Sequence, residues 1–210
     1  GNDLVSVSGA ITAGSLYGGT GNDSLTLGAL TANTSVLGED GDDTFSIVSA
    51  LTSSVVGGSG NDSMIIGGSA FKSSLAGGIG DDILSVGATF TSSTITGGSG
   101  NDTISLAAGV GGSATINAGG GDDSLVIAGG ISGSTLQAGT GNDLISISGG
   151  ITSDSLMGGD GNDSFNFTGS QLSASTVNVG NGSDSILGSA LGDSFTLTST
   201  SLSGGSQVAI

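Results

Sequence analysis

Nine aspartates mark the chain like a ruler. Asp3, Asp23, Asp43, Asp62, Asp82, Asp102, Asp123, Asp143 and Asp163 each close a Gly-Asn-Asp or Gly-Asp-Asp triplet, at intervals of 20, 20, 19, 20, 20, 21, 20 and 20 residues. Of the 18 acidic residues, 17 lie in these turns, in their neighbours Glu39, Asp40 and Asp160, or in the later turns at Asp184 and Asp193; Asp154 stands apart. Carboxylates beside the carbonyls of a glycine-rich turn are ligands for a hard divalent cation, and calcium suits them best. Zinc or copper would call for His or Cys, and the 210-residue chain contains neither. The same lack, with one lysine, Lys72, and no arginine, leaves no base beside the many serines and threonines. An enzyme is not expected.

The elements that must position these aspartates are legible from their surroundings. Apolar residues stand two and four places after each one, for example Leu25 and Leu27, Ile104 and Leu106, Phe165 and Phe167. Period-two patterning predicts a strand with one buried face. A further apolar residue follows seven to nine places after the aspartate: Ile11, Leu30, Leu51, Phe71, Phe90, Val110, Ile131, Ile151 and Leu172. It is expected to plug the far corner of a coil. The last apolar position, just before the next turn, is Leu16, Val36, Val55, Leu75, Ile95, Ile116, Leu136, Leu156 and Val177, and marks a second strand. A fixed period near 20 predicts a solenoid with one coil per repeat. The fold class is therefore all-β, a parallel β-solenoid or β-roll with two facing sheets and the aspartate turns along one edge. Residues 1–179 should form nine coils, about 45 Å of rod at roughly 4.8 Å per coil. Residues 180–210 should form an irregular last coil and tail, because Asp184 and Asp193 are only nine residues apart.

Stacking places equivalent carboxylates one strand spacing apart. Each neighbouring pair repels by about 0.8 kcal/mol even in bulk water. The net charge of −17 with a single lysine means that the counter-charge must come from outside. One divalent ion at each of the eight interfaces between nine turns would bring +16, and folding is expected to depend on it. The alternative, a metal-free solenoid in which Gly-Asn-Asp is only turn chemistry, gives no reason to align so many like charges. The acidity excludes nucleic acid as a partner, and no apolar run is long enough to insert in a membrane.

Gly57-Gly58-Ser59-Gly60-Asn61-Asp62-Ser63-Met64-Ile65 matches Gly-Gly-x-Gly-x-Asp-x-apolar-x in full, and Gly18, Gly77, Gly97 and Gly158 open equally good matches. The motif resembles the calcium-binding RTX repeat of secreted bacterial proteins, over nearly the whole chain to about Phe195. The resemblance implies a parallel β-roll with Ca2+ held between successive turns. Its ligands would be the aspartates above, with Asp184 and Asp193, and turn carbonyls near Gly18, Thr20, Gly38, Asp40, Gly57, Ser59, Gly77, Ile79, Gly97, Ser99, Gly120, Thr140, Gly158 and Asp160. It also implies secretion to an extracellular, calcium-rich setting. The usual RTX period is nine; one motif per 20 residues resembles the repeat regions of bacterial surface adhesins and surface-layer proteins, and predicts a calcium row on one edge. Gly38-Glu39-Asp40, Ala118-Gly119-Gly120 and Ala138-Gly139-Thr140 break the leading Gly-Gly. Asp184 and Asp193 fit the nine-residue spacing.

The function expected is a structural module of surface-layer, filament or adhesin-stalk type, stiffened by calcium. Its partner would be itself, end to end or in a lattice, or flanking solenoid repeats. The alternatives are an ice-binding RTX solenoid and the calcium-binding tail of a secreted hydrolase. Against a regular ice-binding array, the third turn position reads Thr20, Asp40, Ser59, Ile79, Ser99, Gly120, Thr140 and Asp160.

Overall fold

The computed structural model describes residues 1–169 and 172–188, and the backbone of 207–209. Over these residues the chain is an all-β, right-through parallel solenoid with one coil per 20-residue repeat and no helix. Every strand pairs in parallel with its counterpart one coil away. The strands that follow the aspartates stack in register, as in Ser63–Ile66 with Ile83–Val86 and then Thr103–Leu106. The strands that precede the turns do the same, as in Ser54–Ser59 with Ser74–Ile79 and then Thr94–Ser99. The far corner adds a third, two-residue ladder, for example Phe90–Thr91 between Ala70–Phe71 and Val110–Gly111.

The alternating pattern sets the burial. Residues two and four after each aspartate enter the core from Leu25 and Leu27 onward, and Val36, Val55, Leu75, Ile95, Ile116, Leu136, Leu156 and Val177 meet them from the opposite strand. At the corner, Leu30, Phe90, Val110, Ile131 and Ile151 are buried plugs as expected, but Leu51 and Phe71 are not. The register pairs Leu30 with Ala50 and Ala50 with Ala70, so alanine fills the corner in those two coils. Leu51 and Phe71 lie one residue later and point outward, 37% and 41% exposed. Phe90, stacked on Ala70, takes the room the small side chain leaves.

Each coil turns the corner through a left-handed residue, among them Thr52, Lys72, Ser92 and Ser153. The carbonyl groups this leaves buried are met by a column of short polar side chains. Ser53 Oγ donates to the carbonyl of Leu51, Ser93 Oγ to that of Thr91, and Ser73 Oγ lies 3.0 Å from the carbonyl of Ala50 and 3.1 Å from that of Phe71. Asp154 belongs to this column. Its Oδ1 accepts the Ser134 N–H at 2.7 Å and its Oδ2 the Thr152 N–H at 2.7 Å.

The solenoid continues past residue 179. Thr176–Asn181 pairs with Ser155–Asp160, and Ser185–Leu187 pairs with Ser164–Phe167. The backbone of Gln207–Ala209 adds one more strand on Ser185–Leu187. The expectations for Asp193, for its nine-residue spacing from Asp184 and for the segment through Phe195 fall outside the described residues.

Candidate metal centre

The aspartate turns stack along one edge and are joined by two side-chain ladders running in opposite directions. In the inner ladder, each motif aspartate's N–H donates to Oδ1 of the next one. The contacts run from Asp3 N to Asp23 Oδ1 at 2.6 Å through to Asp163 N to Asp184 Oδ1 at 2.9 Å. Between them the same bond links Asp23, Asp43, Asp62, Asp82, Asp102, Asp123, Asp143 and Asp163 in sequence. In the outer ladder, the residue before each aspartate reaches back: Asp42 N–H donates to Asn22 Oδ1, Asn61 N–H to Asp42 Oδ1, and Asp81 N–H to Asn61 Oδ1. The outer ladder explains why that position is always Asn or Asp in the nine repeats, Asn in six of them; the residue types are legible in the sequence, their hydrogen bonds are not.

The inner ladder uses only one oxygen of each carboxylate. Oδ2 of Asp23, Asp43, Asp62, Asp82, Asp102, Asp123, Asp143 and Asp163 is buried with no hydrogen-bond partner in the protein. These are eight carboxyl oxygens in single file, in side chains at most 3% exposed. Leaving such an atom unpaired is costly. The electrostatics agree. Burial, and then the neighbouring carboxylates, push Asp62 and Asp102 up to about 7 and Asp123 and Asp163 up to about 6, in each case against stabilisation by the backbone N–H. Asp43, Asp82 and Asp143 are raised for the same leading reason, desolvation. Asp154 is raised by burial alone, with both oxygens bonded, so it carries no comparable deficit.

The carbonyls of the first turn position face this row. A Cβ placed on Gly18 would collide with Asp23 Oδ2 and lie 2.8 Å from the Gly38 carbonyl oxygen. Gly57 stands likewise between Asp62 Oδ2 and the Gly77 carbonyl, 2.7 Å away. The carboxylates of Asp23, Asp43, Asp62, Asp102 and Asp163 thus each share a small space with the first-position carbonyl of the next coil. The third-position carbonyls are differently engaged: those of Asp40, Ser59, Ile79, Ser99, Thr140 and Asp160 each accept an N–H from the glycine ending the preceding coil's turn, at 2.7–2.8 Å. Thr20 does the same for the Gly1 amino group. Gly120 accepts from Gly100. The three turns with a broken Gly-Gly keep the register: Gly98 pairs with Gly119, Gly119 with Gly139, and Gly19 with Glu39, which adopts a φ of 82° to do so. Among the described residues no three acidic side chains converge on one point. A cation here must therefore combine one or two carboxylates with backbone carbonyls, an all-oxygen set that fits calcium and excludes soft metals.

A family model described as the RTX calcium-binding nonapeptide repeat (4 copies) matches residues 11–29, 92–112 and 128–165. No curated protein matches the chain. Among solved structures, the chain is similar to a hyperactive, Ca2+-dependent, β-helical antifreeze protein from an Antarctic bacterium. The identity is 28% and the TM-score 0.85, over 99% of this chain and 64% of that one. The chain therefore spans somewhat less than two thirds of that structure.

Proposed function

We propose that this calcium-binding RTX solenoid is a non-catalytic structural rod of the cell exterior, of surface-layer, filament or adhesin-stalk type, completed by calcium. The observation that carries the reading is the file of eight buried Oδ2 atoms without a protein partner. We place about one ion at each interface between turns, against the Asp Oδ2 of one coil and the first-position carbonyl of the next. The residues that would hold it are Asp23 with Gly38, Asp43 with Gly57, Asp62 with Gly77, and so on along the edge. A bound calcium supplies the charge that cancels the repulsion within the column, so its binding energy becomes folding energy. The parallel ladders that repeat every coil hold that column straight.

Two further features support a structural role. The outward positions of both broad faces are uncharged: Ser and Thr predominate after the aspartates, and before the turns a column of Ser and Thr runs beside a varied neutral column that includes Tyr17, Leu37, Gln137 and Met157. The first coil leaves Val5, Ile11 and Leu16 only partly covered, beside an open strand edge. That end suits stacking on a further solenoid coil, from flanking repeats or a second copy. Small-angle scattering in millimolar calcium should show a rod about 45 Å long or end-to-end multiples of it; a compact sphere of the same mass would sink the reading.

The likeness to a Ca2+-dependent antifreeze protein supports a second reading, ice binding by the calcium edge. Here the third turn position mixes hydroxyl, acid, Ile79 and Gly120, and the outer ladder alternates Asn with Asp42, Asp81 and Asp122. An irregular, acidic edge is poor at matching a neutral lattice. Thermal hysteresis on the calcium-loaded protein decides: none is expected, and clear activity would put ice binding first.

A further inference from the structure

The strand that follows each aspartate turns two side chains outward, one and three residues after it. Across ten coils these twenty positions form a flat face, and none is charged although the chain carries a net −17. Most are Ser or Thr. Six are large and apolar: Leu4, Ile65, Ile83, Val126, Leu144 and Leu187, exposed by 79, 48, 50, 38, 44 and 50%. Their distribution is not random. No coil carries two of them, and in all six coils the other outward position is serine: Ser6, Ser63, Ser85, Ser124, Ser146 and Ser185. Ile65 and Ile83 sit diagonally on adjacent coils, as do Val126 and Leu144, by the pairings Ser63 with Ile83 and Ser124 with Leu144.

We infer that this face pairs with the same face of a second copy, the two rods side by side and parallel, related by a two-fold axis along the rod. Such an axis keeps each coil level with its own counterpart but reverses the strand direction. The position one after the aspartate then lies opposite the position three after it. Every large apolar side chain meets the partner's serine: Ile65 over Ser63, Ile83 over Ser85, Val126 over Ser124, Leu144 over Ser146. Ile65 and Ile83 of one rod and of the other close into one interdigitated block, and Val126 with Leu144 form a second. Large-against-small is what lets two sheet faces approach to about 10 Å. An isologous contact of this kind needs a self-complementary face, and this one is.

Charge selects the same arrangement. With the axis along the rod, the two acidic turn edges lie on opposite flanks. An antiparallel pair would set both along one flank. The acidic edge of each rod instead borders the partner's corner residues Gly28, Gly67, Gly87 and Ala107, which are neutral. The footprint is also sufficient. Ten coils at about 4.8 Å by four residues at about 3.3 Å give about 600 Å² per rod, so about 1,200 Å² in total, at the lower bound of a stable interface. The opposite broad face bears Tyr17, Leu37, Val56 and Met157 in a single column beside serines, but of these only Tyr17, at 57%, is largely exposed, so that face presents less apolar surface to a partner.

The proposal rests on the calcium-held rod above, and the test separates the two. Circular dichroism in calcium reports the coil fold; sedimentation reports pairing. At high micromolar concentration in calcium the chain should sediment at twice its 19.6 kDa mass. The Ile65→Asp, Val126→Asp double variant should keep the circular dichroism spectrum and lose the dimer. Mixing Ser24→Cys chains with Thr26→Cys chains under mild oxidation should yield the mixed disulfide dimer several-fold over either chain alone, because these positions oppose each other only in the parallel pair. A calcium-folded wild type that stays monomeric, or a dimer that survives the double aspartate variant, overturns the proposal. A dimer in which the cysteine mixture gives no excess of mixed disulfide overturns the parallel arrangement.

Discussion

Replacing Asp102 with Asn separates the two jobs of its carboxylate. Oδ1 accepts the Asp82 N–H at 2.8 Å, and an asparagine oxygen can keep that bond. Oδ2 has no protein partner, and there the substitution exchanges a charged acceptor for an amide donor. Burial, then the carboxylates of Asp82, Asp123 and Asp81, raise the Asp102 pKa from an ordinary 3.8 to about 7. A gap of about three units corresponds to about 4 kcal/mol against the ion-free fold at pH 8. The sign follows from the raised value. Below about pH 4 the group is neutral in both folded and unfolded chains and costs nothing. The penalty grows as pH rises from 4 to 7 and is complete above that. Asparagine never incurs it. In chelator at pH 8, Asp102→Asn should therefore fold at lower osmolyte concentration than wild type, as a TMAO series followed by circular dichroism would read. In calcium the order should reverse: the variant offers one carboxylate fewer, so its folding midpoint should move to several-fold higher calcium. Opposite signs with and without the ion are the signature. A variant that folds at the same calcium concentration as wild type, or that gains nothing in chelator, refutes the assignment of Oδ2 to an ion.

Protons should partly replace calcium. With Asp62 and Asp102 raised to about 7 and Asp123 and Asp163 to about 6, the chelated chain should gain β signal as pH falls from 8 to 4, and a flat profile would contradict the burial argument. Gly98 has φ +136° and sits where a Cβ would strike the Gly78 carbonyl oxygen. Gly98→Ala should cost about 3 kcal/mol or more, or about 6–12 °C in a calcium-loaded melt; Gly14→Ala, in open space, should change the melt little. Phe90→Ala, at a buried corner plug, should cost about 3–5 kcal/mol. Phe71→Ala, at the exposed neighbouring position, should cost under about 1 kcal/mol, and a larger loss would contradict the corner register.

Much of this architecture can be read without coordinates because a solenoid repeats its reasons. The apolar pairs after each aspartate and the single apolar residue before each turn enforce one register nine times, and a one-residue slip would turn every side chain to the wrong face. The corner was less legible. Leu51 and Phe71 carry the hydrophobicity a plug should have, yet Ala50 and Ala70 occupy the site, because the ladders on either side fix where the corner residue falls. The hydroxyl column through Ser53, Ser73 and Ser93 was missed, although a small polar residue two places before Val55, Leu75 and Ile95 was there to see. In the turns, spacing located the carboxylates but could not distinguish their oxygens. That Oδ1 is spent on a backbone N–H while Oδ2 is left to a cation depends on side-chain torsion, which no pattern of letters records. Nor does spacing show that each third-position carbonyl accepts one glycine N–H from the neighbouring coil, which leaves it a second lone pair.

The claim on which the rest depends is that the aspartate column is a calcium spine without which the coils do not close. Circular dichroism of the chelated protein at pH 8, followed by stepwise calcium addition with the bound ions counted by native mass spectrometry, tests it most directly. The account predicts a disordered spectrum in chelator and a cooperative gain of β signal as about eight ions load, on the order of one per interface between turns. A full β spectrum in excess chelator, unchanged as calcium is added, would contradict it.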